Sequence, residues 1–286
     1  MSVLVLSSAY PDEALAGLDV VREPRDDVEV VLTMPTRVTG AAEMDELPAL
    51  RAIVTATIGY DHVDVDAARE RGIWVCNVPD YCVEEVADHT LALLYALVRG
   101  VVALDRDVRR GGWDSSAAGP LRTLAELTVG VVGHGRIGGA VAARLRALGC
   151  TLLVADVRDV GVRLVPLDEL LARSDAVTLH VPLTAETRSL VGARELALLR
   201  TGALLVNTSR GAVVDVGALL DELPRLGGAA LDVLPEEPPR TVPELPNLIV
   251  TPHAAWRSAA AERKAVAAAI EAARTALRGE RPANTV

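Results

Sequence analysis

Three polar residues, far apart in this sequence, are of the types that hold anions and move protons: Arg210 in Asn-Thr-Ser-Arg-Gly, Glu237 in Glu-Glu-Pro-Pro and His253 in Thr-Pro-His-Ala-Ala-Trp. Each follows a short apolar run that reads as a strand, which puts all three on loops at strand ends. In an open α/β sheet those loops are where a ligand binds. A permanent cation, a carboxylate and an imidazole on one rim can anchor an oxoacid, tune the histidine and carry a proton.

A second constellation is Gly133-His134-Gly135-Arg136-Ile137-Gly138, which fits G-x-G-x-x-G. Alone the pattern says little, because glycine is common. Here Thr128 to Val132 supplies a strand before it, Arg136 to Leu148 a helix after it, and Asp156 ends the next strand about 20 residues on, as a dinucleotide fingerprint requires. Gly133 serves the tight turn, Gly135 lets backbone approach a pyrophosphate at the helix N-terminus, and Gly138 allows close helix packing. Asp156 would accept hydrogen bonds from ribose hydroxyls and repel a 2′-phosphate, favouring NAD over NADP, and the nearby Arg158 weakens that preference. His134 has two readings, facing the phosphates or solvent. His180 likewise reads as a core histidine or as a wall of the nucleotide crevice.

The elements that must position these residues follow a β-then-α rhythm. Val3 to Leu6, Val28 to Leu32, Ala52 to Thr57 and Ile73 to Cys76 read as strands, with a helix such as Asp64 to Arg71 between them, implying a small parallel sheet covered by helices. Glu84 to Arg99 reads as a long helix with two acids complementing its dipole, and Leu91 to Leu104 as a buried helical stretch. Gly111 to Pro120 reads as a loop. From Thr128 the rhythm restarts, with further strands at Ala176 to His180, Ala203 to Val206, Ala229 to Val233 and Leu248 to Val250, giving a doubly wound sheet. The Ala-rich helix Ala259 to Arg278 is assigned back to the first domain. The division expected is 1–92 with 257–286, and 93–256.

Length, charge and cysteines narrow the class. The 286 residues suffice for one or two domains, and two are expected. A net charge of −10 opposes general binding to nucleic acid or a membrane surface. No apolar run reaches membrane length, and the N-terminus lacks the basic start of a secretory signal, so a cytoplasmic protein is expected. Cys76, Cys82 and Cys150 show no C-x-x-C spacing, so neither a disulfide framework nor a metal site is expected.

The chain resembles the D-isomer-specific 2-hydroxyacid dehydrogenases. The similar segments are Gly59 to Asp64, Val83 to His89, Gly133 to Gly138, Ser174-Asp175 through His180-Val181-Pro182, Asn207 to Gly211, Leu231-Asp232-Val233, Glu237-Pro238 and Thr251-Pro252-His253, in the family's order. The resemblance implies a doubly wound Rossmann NAD-binding domain plus a smaller flavodoxin-like α/β substrate domain. It implies that Arg210 binds the substrate carboxylate and reacting carbonyl, that His253 is the acid/base and that Glu237 pairs with it. It places the backbone around Ile58 and Gly59 against the substrate carboxylate, Thr208, Ser209 and Asp232 beside the nicotinamide end, Arg136 and Ile137 at the pyrophosphate, and Pro182 and Thr187 among the cofactor contacts. Trp256 reads as a pocket wall or as packing. A small 2-oxoacid or 2-hydroxyacid substrate and a homodimer are also implied.

Three stretches are short for the family: the N-terminal region, Asp156 to Pro166 and Leu223 to Gly227. The loop Thr33-Met34-Pro35-Thr36-Arg37 lacks the arginines that similarity to phosphoglycerate dehydrogenases would place at its start, which argues for a smaller or less charged oxoacid. No regulatory domain is expected after the closing helix. Two other readings stay open: an NAD(H)-sensing, corepressor-like interaction protein, and a phosphite-type dehydrogenase.

Overall fold

A computed structural model describes residues 2–35 and 37–286. Thr36, in the loop just named, lies outside the described residues. The chain forms two compact units, Met1–Cys82 with Arg257–Val286, and Val83–Trp256.

In the first unit, β1 (Ser2–Val5), β2 (Val20–Val21), β3 (Val28–Thr33), β4 (Ala52–Thr55) and β5 (Trp74–Cys76) form a parallel sheet in the order β2-β1-β3-β4-β5. That is the flavodoxin-like order. The sequence reading omitted β2, a two-residue edge strand too short to show any periodicity. Two short helices, α1 (Ala41–Asp45) and α2 (Val65–Glu70), connect the strands; Asp64 caps α2 by accepting the Ala67 N–H at 2.9 Å.

The second unit opens with α3 (Val83–Val98) and α4 (Val101–Arg109). The stretch Leu91 to Leu104, read as a buried helix interrupted by Arg99 and Gly100, is two helices that meet at that interruption with a 60° bend. Gly100 sits at φ +59° in the break, and a Cβ there would lie 2.4 Å from the Ala118 Cβ. Among the described residues no single helix is long and apolar enough to cross a membrane.

The remaining elements are β6 (Thr128–Val132), α5 (Arg136–Ala147), β7 (Thr151–Ala155), α6 (Leu167–Arg173), β8 (Ala176–Leu179), α7 (Ala193–Leu198), β9 (Leu204–Asn207), α8 (Val216–Glu222), β10 (Gly228–Leu231) and β11 (Leu248–Val250). The strands form a parallel sheet in the order β11-β10-β9-β8-β6-β7. The order reverses between β6 and β8, the switch point at which such sheets bind ligands.

The sheet has a core on each face, as a buried parallel sheet must. Val129, Val131, Val206 and Ala230 pack with α3 and α5 residues such as Leu94 and Leu145, while Leu179, Leu205 and Leu231 pack with Leu170, Leu196 and Leu219. Because α3 packs on α5, β9 and β10, the unit boundary falls at Cys82/Val83, ahead of the 92/93 position expected from sequence. The closing helix α9 (Ala259–Leu277) packs on β3 and β4 of the first unit.

Candidate active site

Three adjacent parallel strands, β9, β10 and β11, end on the same edge of the second sheet, and the loops that leave them carry Arg210, Glu237 and His253. His253 Nδ1 lies 2.7 Å from Glu237 Oε2, and Glu237 Oε1 accepts the Leu234 N–H at 2.9 Å. Burial works against the charge of Glu237. The hydrogen bonds from His253 and Leu234 and the charges of His253 and Arg210 outweigh it and hold the carboxyl below its usual range. Arg210 is thus close enough to act on the same pair. With Nδ1 engaged, His253 keeps Nε2 for proton exchange.

The loops are held from within the sheet. Asn207 Nδ2 donates to the Arg210 carbonyl at 2.9 Å, and its Oδ1 receives the N–H and hydroxyl of Ser209. At Gly211 a Cβ would lie 2.0 Å from the Leu234 carbonyl carbon, so the arginine loop and the start of the glutamate loop touch through backbone. Asp232 is 1% exposed. Its Oδ1 accepts the Thr251 hydroxyl at 2.6 Å and the Ala254 N–H at 2.9 Å, its Oδ2 accepts the Ala255 N–H at 2.9 Å, and its carbonyl takes the His253 N–H at 2.7 Å. Asp232, read from sequence as a cofactor neighbour, therefore anchors the histidine loop. Thr208 is buried with its hydroxyl 2.8 Å from that of Thr90, which itself donates to the Val86 carbonyl, so the Thr208 proton points inward to α3.

Asn207, Gly211 and Thr251 received no separate role from sequence. A polar residue closing or directly following a fully apolar strand was the available signal, as at Val206-Asn207 and Val250-Thr251.

The glycine loop fits a dinucleotide. Gly133 has φ +86°, and a Cβ there would meet the His180 carbonyl at 2.6 Å; a Cβ on Gly138 would fall 1.9 Å from the Gly133 oxygen. At Gly135, the cap of α5, the nearest atom to a Cβ is Arg158 Nη2 at 3.8 Å, which leaves the approach to the helix N-terminus open. Two substitutions should separate these roles. Gly135→Ala is expected to weaken dinucleotide binding about tenfold or more with the melting temperature unchanged, whereas Gly138→Ala should lower both; calorimetric titration with thermal denaturation would read them apart.

Arg136 is exposed at the first turn of α5, and Ile137 packs its side chain into the core, leaving backbone for the phosphate side. Asp156 is occupied more than its motif suggests. Its Oδ2 takes the His134 N–H at 2.7 Å, its Oδ1 takes the Arg158 N–H at 2.9 Å and Arg158 Nε at 3.4 Å, so three of about four acceptor positions are used. Burial opposes its charge, but these donors hold its carboxyl below the usual range. On the loop after β8, the Thr187 hydroxyl donates to the Pro182 carbonyl at 2.6 Å. Burial pushes the His180 imidazole down to about 3, and its Nε2 is shut off from solvent without a partner, which favours the core reading.

In the first unit Ile58 and Gly59 follow β4. Asn77 Nδ2 donates to the Ile58 carbonyl and the Thr57 hydroxyl to the Gly59 carbonyl, each at 2.7 Å, so both carbonyls are tied into the turn. Trp256 is half-buried at the end of the second unit.

Comparisons with known proteins agree with this arrangement. The profile of the D-isomer specific 2-hydroxyacid dehydrogenase NAD binding domain matches residues 91–255. Glyoxylate reductase of Korarchaeum cryptofilum is 39% identical over 97% of this chain and 88% of its own length. Glycerate dehydrogenase of Methylorubrum extorquens is 39% identical over 81% of this chain and 76% of its own. The D-lactate dehydrogenase of Aquifex aeolicus, solved with NAD and lactic acid, is 27% identical and superposes with a TM-score of 0.91 over 100% of this chain and 99% of that one. A nucleotide-shaped glycine turn, a histidine–carboxylate pair beside an arginine, and extended similarity at this level make the chain a member of the D-isomer-specific 2-hydroxyacid dehydrogenase family, an oxidoreductase that uses a nicotinamide dinucleotide.

Proposed function

We propose that the protein interconverts a small 2-oxoacid and its D-2-hydroxyacid, with His253 as acid/base, Glu237 as its partner and Arg210 as the anchor for carboxylate and carbonyl. The observation that carries this reading is the 2.7 Å contact between His253 and Glu237, with the charge of Arg210 acting on the same carboxylate. When bound, the dinucleotide supplies or takes up the hydride. In reduction the Nε2 proton of His253 passes to the oxygen on which charge develops, while the Arg210 guanidinium stabilises that charge; in oxidation neutral His253 accepts the hydroxyl proton. Glu237 holds the ring and offsets the charge it gains.

The second unit is the proposed cofactor domain, held through Gly133 to Gly138, Asp156, Pro182, Thr187, Thr208, Ser209 and Asp232, and the first is the proposed substrate domain, with Ile58 and Gly59 contributing backbone. Trp256 is proposed to line the substrate pocket. The buried, ionised Asp156 supports NAD over NADP. A cytosolic homodimer is part of the same reading, supported by three buried cysteines and by apolar surface at Val101, Val108 and Trp113.

A set of 2-oxoacids offered with NADH and with NADPH, followed by absorbance of the reduced dinucleotide, tests this. Turnover of at least one oxoacid, faster with NADH, is the expected result. No turnover by protein that binds the dinucleotide would remove the catalytic reading, and equal rates with both cofactors would remove the role given to Asp156.

A further inference from the structure

We infer that His89, on α3, is a positioning residue that fixes the direction of the His253 ring through Thr251 and Asp232. The inference rests on the reading of His253 as the proton-transfer group. His89 Nε2 lies 3.2 Å from Thr251 Oγ1 and 3.5 Å from Asp232 Oδ1. Thr251 directly follows β11 and Asp232 directly follows β10, so a helix beneath the sheet reaches the two strand ends from which the catalytic loops depart.

The proton count gives the chain of contacts a direction. Both oxygens of Asp232 receive N–H groups, so this side chain acts as an acceptor, and its 2.6 Å contact with Thr251 uses the threonine's hydroxyl proton. That hydroxyl has no second proton. Toward His89 it can only accept, and the hydrogen of the 3.2 Å contact belongs to His89 Nε2. The order is therefore His89 N–H to Thr251 O–H to Asp232, which in turn gathers the N–H groups of Ala254 and Ala255 on its side chain and that of His253 on its carbonyl.

His253 itself needs such enforcement. Its φ of +50° lies in the left-handed region that a residue with a Cβ seldom occupies unless its surroundings demand it. The loop on one side of it is fixed by Thr251 and on the other by Ala254 and Ala255, all on one carboxylate. Asp232, with the Thr251 N–H to Leu231 carbonyl bond at 3.0 Å, ties this loop to β10. His89 ties the same hub to α3, which limits how the Thr251 hydroxyl and the carboxylate can turn, and so where the His253 ring points relative to Glu237.

The test compares His89→Ala, His89→Gln and Thr251→Val in the full-length protein. His89→Ala and the nearly isosteric Thr251→Val are each expected to lower kcat by about 10- to 100-fold, the cost of a misplaced reacting group, with the KM for the dinucleotide unchanged. The double variant should be no worse than either single one, because both cut one chain. His89→Gln, whose amide N–H reaches toward the same hydroxyl, should recover most of the loss.

With five histidines in the chain, ring N–H resonances give a readout independent of turnover. The downfield His253 proton shared with Glu237, identified by its loss in His253→Gln, should vanish in His89→Ala and return in His89→Gln. A His89→Ala protein that keeps both its kcat and this resonance would overturn the inference. So would a loss that tracks melting temperature and is not repaired by Gln. If His253→Gln itself retains activity, the acid/base reading fails on its own, and the resonance still decides whether His89 positions the ring.

Discussion

His253→Gln is expected to reduce kcat by about 10²- to 10⁴-fold while leaving dinucleotide affinity nearly unchanged. Glutamine keeps the size and hydrogen-bonding capacity of the side chain but cannot exchange a proton near neutral pH, so the loss isolates proton transfer from packing. Glu237→Gln should fall between wild type and His253→Gln: the amide oxygen can still accept from Nδ1 at the observed 2.7 Å spacing, but the charge that offsets the protonated ring is gone. The pH profile carries a sign that checks the same pair. The carboxyl of Glu237 is lowered, so its ionised form is fully present above the ordinary carboxylate range and is lost only as pH falls through the lowered value. Any acid-side decline in kcat/KM due to Glu237 therefore lies below that ordinary range, and in Glu237→Gln this contribution disappears. Activity of His253→Gln within a few-fold of wild type, with an oxoacid the native protein turns over, would remove the histidine from the chemistry.

The parts of this site that were legible in the sequence are those whose reasons are local. Gly133 and Gly138 are demanded by a turn and a helix start six residues long, and the observed φ of +86° and the 1.9 Å overlap are the physical form of that demand. Arg210 and His253 were visible because each is a residue type that holds an anion or moves a proton, on a loop that leaves a short apolar strand. The break after Val98 shows the limit: Arg99 and Gly100 interrupt the apolar run in the sequence, but the 60° change of direction there comes from the backbone at Gly100 with Ala118 against it. The hold of Asp232 on the histidine loop was not legible for a different reason. Its partners Thr251, Ala254 and Ala255 come from the next strand end, and they meet it only because β10 and β11 are neighbours in register, which no spacing in the sequence specifies. Gly211 is the same case. Its lack of a side chain serves the Leu234 backbone on another loop, so within its own segment it reads as an ordinary turn glycine.

Arg210→Lys is expected to lower kcat/KM for the oxoacid by about 10²- to 10³-fold, the range for removing a donor from a developing oxyanion, even though the charge is conserved. The guanidinium enters the site on a loop whose position is set before any ligand arrives: Asn207 holds the Arg210 carbonyl, and Gly211 seats the next peptide against Leu234 and Pro235. One arm is already committed, since Nη1 donates to the Ser209 carbonyl at 2.8 Å. With five donors in a rigid plane, an arginine can serve several acceptors at once and match the two oxygens of a carboxylate, which an ammonium cannot. Lysine has one ammonium on a flexible stem and must choose between the loop and the ligand. The loss should therefore appear in both parameters: KM rises because the carboxylate is held at one point, and kcat falls because the carbonyl oxygen loses its donor where charge accumulates. Dinucleotide binding, proposed to centre on the glycine turn at the end of β6, should not change. A lysine variant that matches wild type in kcat with only KM raised would mean that Arg210 binds the carboxylate and takes no part in stabilising the reacting oxygen.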